Sequence, residues 1–365
     1  MAASIVAFRH WRRCVARSFL FGVAMAEPLM LSRVSQFAWV DRVKTELETN
    51  FEDGGGLFRA VVLHDDVGAD FVLTFHHAIA DGMSGTAIAE DLMKALAGRA
   101  LEPLGVPSSL ENFNSLYHGM ELPDDLRGPS LLGDRAMMLA QADRPLWRQF
   151  ENDSVSISTA TIEADVIGVL RQLCRDMGTT VNSAICTAIA LVGCKVEKRS
   201  EYKILSAIDV RPIIDLDYER CALRAVAATH SIHKPDTEDF WIAARAHSEM
   251  VKGSREKARI VETSRMLDRL IPPTCDPRIA SGLLGSLGYD AVVSNLGNLS
   301  IRPRIDDVQL SALWGPVGQA RLKSERFLGV ATTRNVMRML EATPTYQRPL
   351  LSDLKPCLVD IVRPR

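Results

Sequence analysis

Two apolar runs, a turn between them, and then a pair of histidines at the head of an amphipathic helix constrain this chain more than any other feature. Residues 57–63 are rich in strand formers, Asp65-Asp66-Val67-Gly68 carries turn chemistry, and residues 70–75 supply the returning strand of a hairpin. His76-His77-Ala78-Ile79-Ala80-Asp81-Gly82 follows directly. Beyond it, Ile88, Leu92 and Leu96 lie four apart, which predicts a helix over 84–96 with one buried face. The histidines therefore stand at a strand-to-helix junction.

The same alternation runs through the rest of the chain. Val40, Val43, Leu47 and Phe51 predict a helix over 38–51, broken by Gly54-Gly55-Gly56. Residues 98–133 are rich in Pro and Gly and read as a long surface connection. A second unit begins near Ser154. Residues 155–162 alternate like a strand, and Val166, Leu170, Leu173 and Met177 form a helix face with Gly178 at its C-terminal end. Residues 180–192 predict a buried, Ala-rich helix, 240–251 a further helix, and 204–210, 289–293 and 327–333 strands. Strands and helices alternate in both parts, so the predicted class is α/β. The length of 365 residues suits two units, divided here as 31–150 and 151–365 behind an atypical segment, 1–30.

Composition excludes several roles. A net charge of −2 without a long block of one sign leaves no basic stripe for nucleic acid. The seven cysteines (Cys14, Cys174, Cys186, Cys194, Cys221, Cys275 and Cys357) are scattered and form no C-x-x-C pair. That argues against a disulfide framework and for a reducing compartment, so the expected location is cytoplasmic. Residues 9–26 place basic residues before a short apolar run ending Ala24-Met25-Ala26, the outline of a secretory or organellar signal. The run is short for that role and far too short to span a bilayer; the favoured reading is an irregular or amphipathic N-terminal segment.

At the junction, a neutral imidazole with an ordinary pKa of about 6.5 can take a proton from a hydroxyl or an amine near neutral pH. His77 is placed to project into a cleft and His76 to bond back into the fold. A buried Asp81 needs a cationic partner, and an Asp–Arg pair would lock the turn that aims His77. Gly82 removes a side chain where a backbone or a substrate comes close. The rival is a metal site, since His77 and Asp81 are spaced i, i+4 and His230-x-x-His233 could add ligands. Zinc takes at least three protein ligands and adjacent histidines do not converge on one ion, so no metal is expected. The chain holds no G-x-S-x-G elbow, P-loop or H-E-x-x-H.

F-H-H-A-I-A-D-G, residues 75–82, resembles the signature of the chloramphenicol-acetyltransferase-like superfamily, the H-H-x-x-x-D-G acyltransferases. That superfamily includes the condensation domains of non-ribosomal peptide synthesis, alcohol acyltransferases and polyketide-associated acyltransferases. G-T-T-V-N-S-A-I-C-T-A (178–188), A-I-D-V-R-P (207–212) and V-S-N-L-G (293–297) resemble later family segments in the right order. The last is nearest the polyketide-associated and alcohol acyltransferase branch. The likeness implies two similar α/β halves around a central tunnel. It implies His77 as general base, Asp81 as anchor with Arg211 as its partner, His76 and Gly82 as support, and Ser294, Asn295 and Gly297 near the substrate.

The implied reaction moves an acyl group from a thioester of coenzyme A or of an acyl carrier protein to a hydroxyl or amine acceptor. No bound cofactor and no covalent acyl-enzyme are expected. Trp314 reads as a packing residue. The family's H-P-x-L segment is not seen before Phe37, so the first half is expected to be shortened. That departure motivates an alternative: an inactive condensation-like domain that binds an acyl chain or a carrier protein.

Overall fold

A computed structural model describes residues 2–3, 15–16, 19–20, 30–33, 39–52, 54–64, 68–101, 107, 148, 153–213, 220–234, 239–270, 282–283, 285–322 and 325–363. The first part supplies β1 (Ala2–Ala3), the pair β2 (Val15–Ala16) and β3 (Phe19–Leu20), β4 (Met30–Arg33), helix α1 (Trp39–Glu48), β5 (Phe58–His64), β6 (Ala69–Phe75) and helix α2 (Gly82–Leu96). After Ser154 come β7 (Val155–Ile162), α3 (Ala164–Asp176), α4 (Val181–Glu197), β8 (Glu201–Asp209), β9 (Ala225–His233), α5 (Phe240–Ser254) and α6 (Lys257–Leu270). The chain then forms β10 (Ala291–Asn298), the hairpin β11 (Arg304–Ile305) and β12 (Val308–Gln309), β13 (Val317–Gly318), β14 (Phe327–Thr333), β15 (Val336–Pro344) and α7 (Leu351–Asp360).

The architecture is α/β, as the alternation predicted, with a main sheet in each part. The first runs β13-β1-β6-β5-β4 and the second β7-β15-β14-β10-β8-β9. The predicted hairpin is present, paired from Phe58↔Phe75 to His64↔Ala69. In the second sheet β10 lies parallel to both β8 and β14, and the remaining pairs are antiparallel. The Ala-rich helix α4 is buried nearly all round, with Ala184, Ile185, Ala188 and Ala190 at the centre of the larger core. Such a helix needs small residues because several elements approach it at once.

The two parts are interleaved. β13, from late in the chain, joins the first sheet through Ala2↔Gly318 and Ala3↔Val317. Helix α1 buries Val43 and Leu47 against Val61, Leu63 and Val72 of its own sheet, and also against Val155, Leu340 and Ala342 of the other. Ile88, Ala89 and Leu92 of α2 likewise join Leu73 and Phe75 to Leu313 and Ala331. The seam beside the histidine junction is thus a shared apolar core. Most of the predicted surface connection 98–133 and most of the signal-like stretch lie outside the described residues. No single described helix is long and apolar enough to cross a membrane.

Behind the second sheet sits a buried histidine pair. His230 on β9 and His247 on α5 meet edge to face, ring centres 5.4 Å apart. His230 Nε2 pairs with Ser254 Oγ at 2.9 Å and His247 Nδ1 with Ser183 Oγ at 3.2 Å. Burial, and then the neighbouring His230, push the His247 pKa down to about 4. A histidine whose folded pKa lies below its unfolded value of about 6.5 contributes stability that is present above pH 6.5 and lost as pH falls towards 4. We expect acid to remove about 3 kcal/mol through this residue. Urea unfolding at pH 7 and pH 4.5 should show a smaller acid loss in His247→Gln than in wild type; equal losses would assign the acid sensitivity elsewhere.

Candidate active site

β6 ends at Phe75, and the chain turns at once. His76 N–H donates to Leu57 O at 2.9 Å and Ile79 N–H to His76 O at 3.1 Å, so the turn is tied to the hairpin and to itself. Within it, His77 Nδ1 lies 2.8 Å from Ala80 O. A carbonyl oxygen can only accept, so Nδ1 carries the proton and Nε2 is left with a free lone pair. The His77 side chain is open to solvent. The turn thus selects the tautomer in which the outer nitrogen is a base.

His76 is also exposed, and its bonding is local: Ala78 N–H donates to its Nδ1 at 3.3 Å. Its ring meets Phe51 edge to face at 5.9 Å, and the Arg59 guanidinium lies 4.2 Å over the same Phe51 ring. Partial desolvation, and then His77, hold the His76 pKa below its ordinary value.

Asp81 begins α2 and is almost completely buried, 4 % exposed. Its carboxylate accepts from Arg211 Nη1 at 3.0 Å and Nη2 at 3.1 Å, from Ser84 N–H at 2.9 Å, and from Arg224 N–H at 2.8 Å. Both oxygens are occupied by groups that hold the fold, which makes Asp81 a positioning residue. Burial works against the charge of Arg211, but Asp81 and then Asp209 outweigh it and keep its pKa above the ordinary value. Ser84 closes a capping box: Asp81 N–H donates to its Oγ at 3.2 Å. The same Oγ accepts from Ala222 N–H at 3.1 Å, which ties the helix start to the stretch before β9.

Gly82 is where the second part presses on the first. A Cβ there would stand 2.7 Å from Leu296 Cδ2 and 3.0 Å from Pro316 Cγ. Leu296 is brought forward by an irregularity in β10, whose pairing with β14 shifts between Asn295 and Asn298. Within it Gly297 takes φ 72°, and its N–H donates to Asn295 Oδ1 at 2.8 Å. Ser294, opposite Gly329, and Asn295 are half-buried on β10. Pro316 lies directly over Gly329 of β14: a Cβ at Gly329 would fall 1.5 Å from Pro316 O. Trp314 packs against Trp39 at 5.2 Å. The seam here leaves a small, partly open pocket of about 10 Å³, lined by Gly82, Gly85, Thr86, Leu296, Leu313, Trp314 and Pro316.

The structure therefore brings Asp81 and Arg211 into contact across the two parts and places Gly82 against the end of β10. His230, which the metal reading would need, is buried on β9 with His247 and Ser254 instead. Among the described residues no three His, Cys, Asp or Glu side chains converge as a metal site would require. Sequence reasoning missed Ser84, although Asp81-x-x-Ser84 has capping-box spacing. It also missed the backbone of Ala222 and Arg224, for which no sequence signal exists, and the Leu296–Pro316–Gly329 contact.

Two expectations follow from this geometry. Asp81→Asn leaves the buried Arg211 with the half-buried Asp209 as its one remaining carboxylate partner among the described residues and should cost about 3 kcal/mol in urea unfolding, while Asp81→Leu with Arg211→Met recovers part of it; a loss below about 1 kcal/mol would remove the anchor role. Gly329→Ala should lower the melting temperature sharply, because the clash is with backbone. Gly168→Ala, on α3 with nothing within 4 Å of the new Cβ, should leave it unchanged or raise it.

No family model matches the chain, and no curated protein does. Solved structures do match. The chain is similar to the condensation domain from the Monacolin K polyketide synthase MokA, at 13% identity over 94% of this chain and 80% of that one, TM-score 0.60. It is similar to the SgcC5 protein from Streptomyces globisporus, at 14% identity over 99% and 90%, TM-score 0.58. It is also similar to polyketide synthase associated protein 5 from Mycobacterium tuberculosis, at 12% identity over 86% and 78%, TM-score 0.56. At such identities the likeness is one of fold. The chain has the chloramphenicol-acetyltransferase-like fold of the condensation and epimerization domains.

Proposed function

We propose that this protein is an acyltransferase that moves an acyl group from a thioester to a hydroxyl or amine acceptor, with His77 as general base. The observation that carries the reading is the His77 Nδ1 bond to Ala80 O, which leaves Nε2 as the free, solvent-facing nitrogen on a turn anchored by Asp81 and Arg211. Nε2 takes the acceptor proton as the acceptor O or N attacks the thioester carbonyl. The new C–O or C–N bond forms, the C–S bond breaks, and the imidazolium returns the proton to the leaving thiolate. The described cysteines do not compete as nucleophiles. Burial pushes the half-buried Cys221, the one beside Arg211 and Asp81, up to about 11, so its thiol stays protonated. Ser294, Asn295 and Gly297 lie at the end of β10 that presses on Gly82, which supports a place for them beside the substrate.

The donor is a thioester of coenzyme A or of an acyl carrier protein. Similar structures include a condensation domain that mediates chain release from the enacyloxin polyketide synthase, which favours a carrier-bound donor. The direct test is thiol release from acyl-coenzyme A and acyl-loaded carrier proteins, with pooled alcohols and amines as acceptors. His77→Ala should lose about 10²–10⁴-fold in acceptor-dependent release while melting like wild type. Equal release by both proteins removes His77 from the mechanism. Acyl-chain or carrier binding without turnover by wild type supports the inactive binding domain instead.

A further inference from the structure

β7 is the end strand of the second sheet, and no described strand pairs with its outer side. Its sequence, V-S-I-S-T-A-T-I, contains no charge and no proline, and it pairs with β15 in unbroken register from Val155↔Pro344 to Ile162↔Met337. Edge strands are normally blunted by lysine, proline, a bulge or a cover; β7 has none of the first three.

The ladder fixes which backbone groups face outward. Thr345 N–H donates to Ser154 O at 3.1 Å, one step beyond the Val155↔Pro344 pair. In an antiparallel ladder, bonded pairs alternate, so residues 156, 158, 160 and 162 exchange bonds with β15. Residues 155, 157, 159 and 161 then turn their N–H and C=O groups away from the sheet. Val155 bears this out, because its N–H donates to the Glu48 carboxylate on α1 at 2.9 Å. The outward groups of Ile157, Thr159 and Thr161 meet no described residue, and Thr159 is exposed.

Beside this edge runs a groove of about 530 Å³, with Ser158, Thr159 and Ala160 on one wall and Arg348, Ser352 and Lys355 on the other. Arg348 pairs with Asp353 at 2.6 Å and remains 58% exposed; Lys355 makes no ion pair with a described residue. The wall opposite the strand is therefore net positive.

We propose that the β7 edge docks an extended acidic segment of a partner protein. The segment adds as a strand along residues 157–161 and sets carboxylates against Arg348 and Lys355. Main-chain bonds to an unpaired edge supply affinity in such additions, and alternate side chains supply specificity. Glu48 already satisfies the first outward N–H with a carboxylate, so the occupant continues a pattern the fold has begun. A second copy of this chain fits less well, because it would bring the cationic walls together.

The probe is a fluorescein-labelled heptapeptide alternating valine with aspartate, compared with its valine–lysine counterpart by anisotropy on the full chain at low salt. The aspartate peptide should bind saturably and the lysine peptide about tenfold more weakly. Thr159→Pro removes an outward N–H without touching the β15 ladder, so it should weaken binding at least about tenfold while melting like wild type. Lys355→Glu should weaken the aspartate peptide and strengthen the lysine peptide, and it leaves the edge strand intact. No binding to wild type, equal binding by Thr159→Pro, or no preference between the two peptides overturns the proposal. So does a concentration-dependent dimer abolished by Thr159→Pro, which would make a second copy the occupant.

Discussion

The buried pair of Asp81 and Arg211 is the contact through which the histidine junction acquires a fixed direction. Asp81 lies one residue before helix α2, and Arg211 lies just beyond the end of β8, in the other sheet. Burying either charge alone would cost several kcal/mol; Arg211 answers Asp81, and Asp81 with Asp209 answers Arg211. Their union draws in the Ser84 hydroxyl, the Arg224 amide and the Ala222 backbone, so that five groups from three stretches converge on one turn. A geometry so over-determined holds the Ala80 carbonyl where it can accept the hydrogen bond from His77 Nδ1–H. The tautomer of an exposed imidazole is thus decided by an ion pair that never meets solvent.

Much of this was legible in the sequence. The hairpin, the junction, α2 and β7 lie where period and turn chemistry placed them, and Gly178 closes α3 with φ 64°. Arg211 was identified through its resemblance to a family segment; nothing in its local surroundings marks it as buried. β15 was overlooked for a physical reason. Its segment V-M-R-M-L-E-A-T-P carries Arg338 and Glu341, which read as exposed, yet the strand is central. Glu341 is tolerated there because Arg326 neutralises it and the N–H groups of Leu350 and Leu351 donate to it at 2.9 Å and 2.7 Å. The carboxylate thereby caps α7, a helix that Pro356 in its interior hides from sequence reading. Such long-range satisfaction leaves no periodic trace.

The seam follows the same logic in apolar form. Gly82, Leu296, Pro316 and Gly329 form a stack in which two positions lack a side chain so that backbone and ring can meet. Glycines of this kind carry no period and look like turn residues. Their role is evident only when the elements they admit are placed beside them.

The pairing of β1 with β13 has a consequence for how the molecule comes into being. Ala2 meets Gly318, close to the opposite end of the chain. A contact between such distant residues is repaid only after a very long loop has closed. During synthesis the first sheet must therefore wait, with the outer side of β1 uncovered, until most of the second part has left the ribosome. The histidine turn, whose Gly82 meets Leu296 and Pro316 from late in the chain, becomes part of a finished surface among the last steps of assembly.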